Sequence, residues 1–142
     1  MSRLRLIILA GTLAAAAAYA APSCHGISVT ALAFGNYDVY AAAPLDSAGT
    51  ISYSCPPPAL PTVTIDYGLH GAGTQRGMLG PGGDLLLYQV CQDAACTSPW
   101  GLTPVSVPAG NVLTVPFYAR VFAQQDVTVG GYGDTLTVTF NF

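Results

Sequence analysis

The most regular pattern in the chain is its last stretch, Asp134–Phe142 (DTLTVTFNF), where Leu136, Val138, Phe140 and Phe142 alternate with Thr135, Thr137, Thr139 and Asn141. A period of two sends successive side chains to opposite faces, which predicts a β-strand with one apolar and one polar side. Five earlier runs rich in β-branched and aromatic residues also read as strands: Ile27–Phe34, Gly49–Cys55, Thr62–Gly68, Asp84–Cys91 and Asn111–Ala123. Glycine, proline, asparagine and aspartate collect between them, in NYDVYAAAPLDSAG, PPPALP, HGAGTQRGMLGPGG, TSPWG and VPAGN, and predict turns. Pro116 interrupts the Asn111–Ala123 run and predicts a bulge or an edge, because proline has no N–H to give to a ladder.

Helical periodicity is missing beyond residue 20, so the predicted fold is all-β, a two-sheet sandwich of immunoglobulin-like type. Such a sandwich has seven strands, and six are legible here. The closing strand has a strongly apolar face, and no further run is left in the sequence to lie along its second edge. The expected architecture is an incomplete sandwich.

The N-terminal residues read as an export signal rather than part of the fold. Arg3 and Arg5 precede an apolar run from Leu6 to Ala18, and Ala18-Tyr19-Ala20 supplies a small-x-small cleavage pattern. A membrane-spanning helix would need about 20 apolar residues, so residues 1–20 are expected to be removed and the domain to occupy 21–142 without membrane insertion. About 120 residues suit one core better than two.

Charge narrows the partners. Only 8% of the residues are charged, and beyond residue 20 two arginines (Arg76, Arg120) face seven aspartates, a balance of −5. A chain with no basic patch is a poor ligand for nucleic acid or anionic membrane. It also has few charges with which to keep sheet edges apart, as suits a protein that lives associated with others.

An even count of cysteines in an exported chain (Cys24, Cys55, Cys91, Cys96) implies two disulfides, with three connectivities open. Cys24 with Cys55 and Cys91 with Cys96 is the favoured pairing, the second closing the short loop CQDAAC. Zinc spacing is missing.

Catalytic chemistry finds no footing. His25 and His70 are isolated in sequence from other metal ligands, and the seven aspartates are dispersed rather than grouped as in a calcium loop. The glycines of GAGTQRG have the wrong spacing for a dinucleotide fingerprint, and no helix follows. No nucleophile elbow or acid–base pair can be assembled, so no enzyme and no cofactor are expected. Trp100, the single tryptophan, is expected in the core, and Asp134 as a turn residue bonding nearby backbone.

Several pieces in order carry a family likeness: an early cysteine followed by FGNY (Phe34–Tyr37), a cysteine closing ISYSC, LLLYQV followed by Trp100-Gly101, and the final GGYGDTLTVTF. Together they resemble the spore coat protein U domain, the subunit family of archaic chaperone-usher pili, over Cys24–Phe142. The resemblance implies an immunoglobulin-like sandwich lacking its last strand, held in the periplasm by a chaperone and passed to an outer-membrane usher. A neighbouring subunit then donates the missing strand, and the fibre serves attachment and biofilm formation at the cell surface.

On that reading Leu136, Val138, Phe140 and Phe142 form one wall of the receiving groove and Ile27 and Val29 the other. Four or five donor side chains at ~1.5–3 kcal/mol each sum to ~6–15 kcal/mol, comparable to the whole stability of a small domain. The chain alone is therefore expected to be marginal, with each disulfide offsetting ~2–4 kcal/mol. Only Ala21-Pro22-Ser23 would precede Cys24 after cleavage, too short for a donor strand, so the expected place is a fibre end or a coat component. The alternative is an adhesive module that recognises a surface or glycan through loops such as Cys55–Pro61 and His70–Gly83.

Overall fold

A computed structural model describes residues 21–142; the export signal expected over 1–20 lies outside the described residues. Eight strands follow in order: β1 His25–Val29, β2 Leu45–Cys55, β3 Thr62–Ile65, β4 Arg76–Leu79, β5 Leu85–Cys91, β6 Val105–Ser106, β7 Gly110–Val121 and β8 Val138–Asn141. They form two antiparallel sheets, β1-β2-β7-β5-β4 and β6-β3-β8. One 3-10 turn, Pro81–Gly83, joins β4 to β5. The architecture is an all-β, immunoglobulin-like sandwich.

The two longest strands, β2 and β7, make the spine. Their alternating apolar positions set the inner face: Ile51 and Tyr53 from β2 lie with Phe117, Ala119 and Val121 from β7, joined by Leu86, Tyr88 and Val90 from β5. Val63 and Ile65 of β3 cover them from the second sheet and are fully buried. Trp100 fastens the layers together, its indole N–H donating to Val63 O (3.1 Å) and its backbone N–H to Val90 O (2.8 Å). Cys24 and Cys55 are bonded (Cα–Cα 4.3 Å), tying the start of β1 to the end of β2; Cys91 and Cys96 close the loop after β5 (Cα–Cα 5.0 Å).

The strands differ from the sequence reading in their ends, β1 stopping at Val29 and β2 starting at Leu45 within a stretch read as a turn, and in two added strands. Arg76–Leu79 is a strand, although HGAGTQRGMLGPGG reads as a turn, because Gly77 packs beneath Leu85 and Leu87 and the buried Arg76 spends its donors on backbone carbonyls. Val105–Ser106 adds a two-residue edge beside β3. Of the bulge or edge expected at Pro116, the structure has the edge: the β2–β7 register runs unbroken from Leu45 opposite Val121 to Tyr53 opposite Leu113. β5 pairs β7 only from Tyr118 to Val121, so the part of β7 before Tyr118, with Pro116, has no neighbour on that side. Neither extra strand lies beside β8.

Candidate functional site: an open groove beside the last strand

β8 is paired along one edge only. Thr62 to Ile65 of β3 sit opposite Asn141 to Val138, and the pairing is prolonged by Asp66, whose N–H donates to Thr137 O (3.0 Å) while its carboxylate accepts from Thr137 N–H (2.8 Å). Among the described residues no strand lies along the other edge. The consequence is visible in burial. Leu136, Val138 and Phe140 point inward yet remain only half-buried, whereas Val63 and Ile65 on the adjacent strand are fully enclosed. The same alternating pattern therefore has a finished face on β3 and an uncovered one on β8.

That uncovered face opens into a groove of about 1090 Å³. One wall is the segment from Val29 to Val39; the other runs from Val127 to Val138, and Ile65, Leu86, Tyr88, Phe117 and Val121 lie at its base. The first wall leaves the β1 ladder after Val29 but stays extended along β2, with Thr30 N–H donating to Thr50 O (3.0 Å) and Ser47 Oγ donating to Ala33 O (2.8 Å). Its far end is pinned by Tyr37, whose hydroxyl donates to Phe122 O and accepts from Gln125 N–H, both 2.8 Å. Phe34 packs edge-on against Tyr88 at 6.0 Å between ring centres. These anchors hold the walls apart on a rigid scaffold.

Two carboxylates hold the second wall. Asp134 Oδ1 accepts from Leu69 N–H and Thr135 N–H (both 2.9 Å), and Oδ2 accepts from the Tyr88 hydroxyl (2.7 Å). The backbone bonds are those expected of a turn residue; the link to Tyr88 is additional. Burial first, then that carboxylate, push the Tyr88 phenol well above its ordinary range, so it stays a donor. Burial raises the Asp66 carboxyl, but the N–H groups of Thr137 and Gly68, with the charge of Arg76, outweigh it and hold it below the usual carboxylate range. Gly68, at φ +80°, lets the chain pass the Asp134 carboxylate where a Cβ would collide with it.

Of the residues assigned to the groove from sequence, Val29, Leu136 and Val138 line it. Phe140 faces inward but packs on Tyr53, ring centres 4.9 Å apart. Ile27 (42% exposed) and Phe142 (55% exposed) lie outside the lining. Sequence reasoning missed most of both walls: Leu32, Phe34 and Tyr37 on one side, and Val127 to Gly133 on the other. The first three sit in ALAFGNY, whose spacing departs from a strict period of two at Gly35, and the second segment reads as a glycine-rich turn. Among the described residues no cluster of His, Cys, Asp or Glu is placed to hold a metal, and no helix is long and apolar enough to cross a membrane.

A sandwich with an open groove beside its closing strand is the setting for the comparison with known proteins. The chain matches the Spore Coat Protein U domain over residues 10–139, and it belongs to that family. A search of curated proteins finds no match. Among solved structures it resembles a chain of the CsuC–CsuE chaperone–tip adhesion subunit pre-assembly complex from the archaic chaperone-usher Csu pili of Acinetobacter baumannii, with a TM-score of 0.59 and 21% identity. The likeness covers 86% of this chain and 40% of that one, and it is a likeness of fold.

Proposed function

We propose that this protein is a structural, non-catalytic subunit of an archaic chaperone-usher pilus or surface coat, and that its groove receives an extended strand from a partner. The observation that carries the reading is the outer edge of β8, unpaired among the described residues, beside a groove lined by half-buried Leu136 and Val138. β-strand addition needs this combination: free backbone groups on the edge give affinity, and pockets for alternate side chains give register. The family and the Csu complex support the reading.

On it, a periplasmic chaperone fills the groove in transit, an outer-membrane usher exports the subunit, and a neighbouring subunit replaces the chaperone at the cell surface, where the fibre serves attachment and biofilm formation. Co-expression with a periplasmic chaperone of an archaic chaperone-usher system tests this. The expected product is a soluble one-to-one complex, and the chain expressed alone should aggregate or melt low. A soluble monomer of high melting temperature, unchanged by chaperone or by any alternating apolar peptide, would overturn the proposal.

A further inference from the structure

The described chain has two arginines, and they are treated in opposite ways. Arg120, at the surface, has a carboxylate: its Nε and Nη2 donate to Asp46 at 2.7 and 2.8 Å. Arg76 is 2% exposed and has none within ion-pair distance among the described residues. Its Nε donates to Asp66 O (2.8 Å), its Nη2 donates to Ile65 O (2.9 Å) and Trp100 O (2.7 Å), and the Tyr67 ring lies 5.0 Å from its central carbon. Neutral carbonyls and one ring face take its direct contacts, and the Asp66 and Asp134 carboxylates act on its charge only from beyond ion-pair distance, so the buried charge is incompletely compensated and favours an anion.

Nη1 makes no hydrogen bond among the described residues. Because no fully buried side-chain nitrogen there lacks a partner, Nη1 is the part of the group that reaches open space. Arg76 lines a polar cleft of about 560 Å³, separate from the groove, together with Tyr67, Gln75, Gln89, Gln92 and Thr103. Its volume lies within the ~300–1,000 Å³ usual for ligand sites. The three amide groups are oriented alike: Gln75 Nε2 donates to Arg76 O and Tyr88 O, Gln89 Nε2 to Cys96 O and Gln92 Nε2 to Pro99 O. Each nitrogen is held by backbone, and each Oε1 is left as an acceptor. One cationic donor ringed by neutral acceptors selects a ligand with a single carboxylate and several O–H donors. Phosphate, nearly all acceptor, suits this rim poorly.

We propose that the cleft binds a carboxylated saccharide, its carboxylate on Arg76 Nη1 and its hydroxyls on the glutamine carbonyls. The inference does not rest on the groove reading. The test uses the full exported chain isolated from the cell envelope, with trigalacturonate as probe and two readouts: the fluorescence of Trp100, and the side-chain NMR signals of the arginines. Saturable changes at Trp100 and at Arg76, with Arg120 unmoved, are expected, and maltotriose and inorganic phosphate at equal ionic strength should produce neither. Arg76 substitutions would disturb folding, so the variant is Gln92→Glu, on the exposed rim. Its like charge should weaken trigalacturonate binding at least ~10-fold, with the melting temperature kept. Equal binding of maltotriose, equal binding of phosphate, no saturable change up to ~10 mM, or undiminished binding by Gln92→Glu would each overturn the proposal.

Discussion

Val29 and Ile27 offer a controlled test of where the partner strand lies. Both are on β1, both are apolar, and both are 42% exposed, but only Val29 lines the groove. Val29 stands opposite Ile51, whose side chain is fully buried, so it shares the inner face of the sheet. In the chain alone, aspartate at either position can reach water, and each substitution should alter stability by no more than about 1 kcal/mol.

A bound strand changes that for Val29 only. Covering its remaining 42% forfeits about 0.8 kcal/mol of the ~2 kcal/mol that a buried valine contributes. Enclosing the new carboxylate adds several kcal/mol more, or forces it to take up a proton. A total near 4 kcal/mol weakens capture by roughly 1,000-fold, since each 1.4 kcal/mol is tenfold. The assay is co-purification with the chaperone, followed by affinity for an alternating apolar donor peptide with the melting temperature of each free variant alongside. Val29→Asp should lose both partners and Ile27→Asp neither. Normal capture by Val29→Asp, or equal damage from Ile27→Asp, would refute the placement of the strand between the Val29–Val39 and Val127–Val138 walls.

Three further outcomes are expected. Replacing Cys24 and Cys55 by serine opens a link 31 residues apart in sequence and should cost about 4 kcal/mol, against about 2 kcal/mol for the link 5 apart between Cys91 and Cys96, readable as unequal drops in denaturation midpoint. Gly68→Ala, at φ +80° with the Asp134 carboxylate in the way, should lower stability by ~1–3 kcal/mol and release the Leu69 and Tyr88 hydrogen bonds, seen as faster amide exchange at Leu69 and Thr135. The third concerns acid. Asp66 is held below its ordinary value in the fold, so the unfolded chain binds the extra proton first; its contribution is complete above about pH 4 and fades as the pH falls through the lower, folded value. Asp66→Asn should flatten the fall in stability below about pH 4, and an unchanged slope would show that the Thr137 contact does not hold the second wall.

Local pattern carried much of the fold. Alternation in the second half of β2, in β3 and in β8 identifies strands because one face of each points inward, so the period of two survives in the residues themselves, whereas β5 and β7 are legible from their apolar and aromatic content. β4 escapes the same reading for a physical reason: Arg76, Gly77 and Met78 are consecutively buried, which erases the alternation, and arginine and glycine are unusual choices for a buried strand. The cysteine pairing was narrowed by spacing and decided by the sheet, which brings the β1 start and the β2 end to 4.3 Å between Cα atoms.

By itself the sequence determined the all-β class, the apolar faces of most strands and the core role of Trp100. These are properties of residue type and spacing, legible before any contact is made. Tertiary structure alone decided where the groove lies. It turned Leu32, Phe34 and Tyr37 into a wall by pinning Tyr37 to Phe122 and Gln125, more than eighty positions away, and it sent Phe140 onto Tyr53. It also brought Arg76 together with Gln75 just before β4, Gln89 of β5 and Gln92 just after it. Distances of this kind depend on how two sheets stack, and a strand's own period records only which way its side chains point.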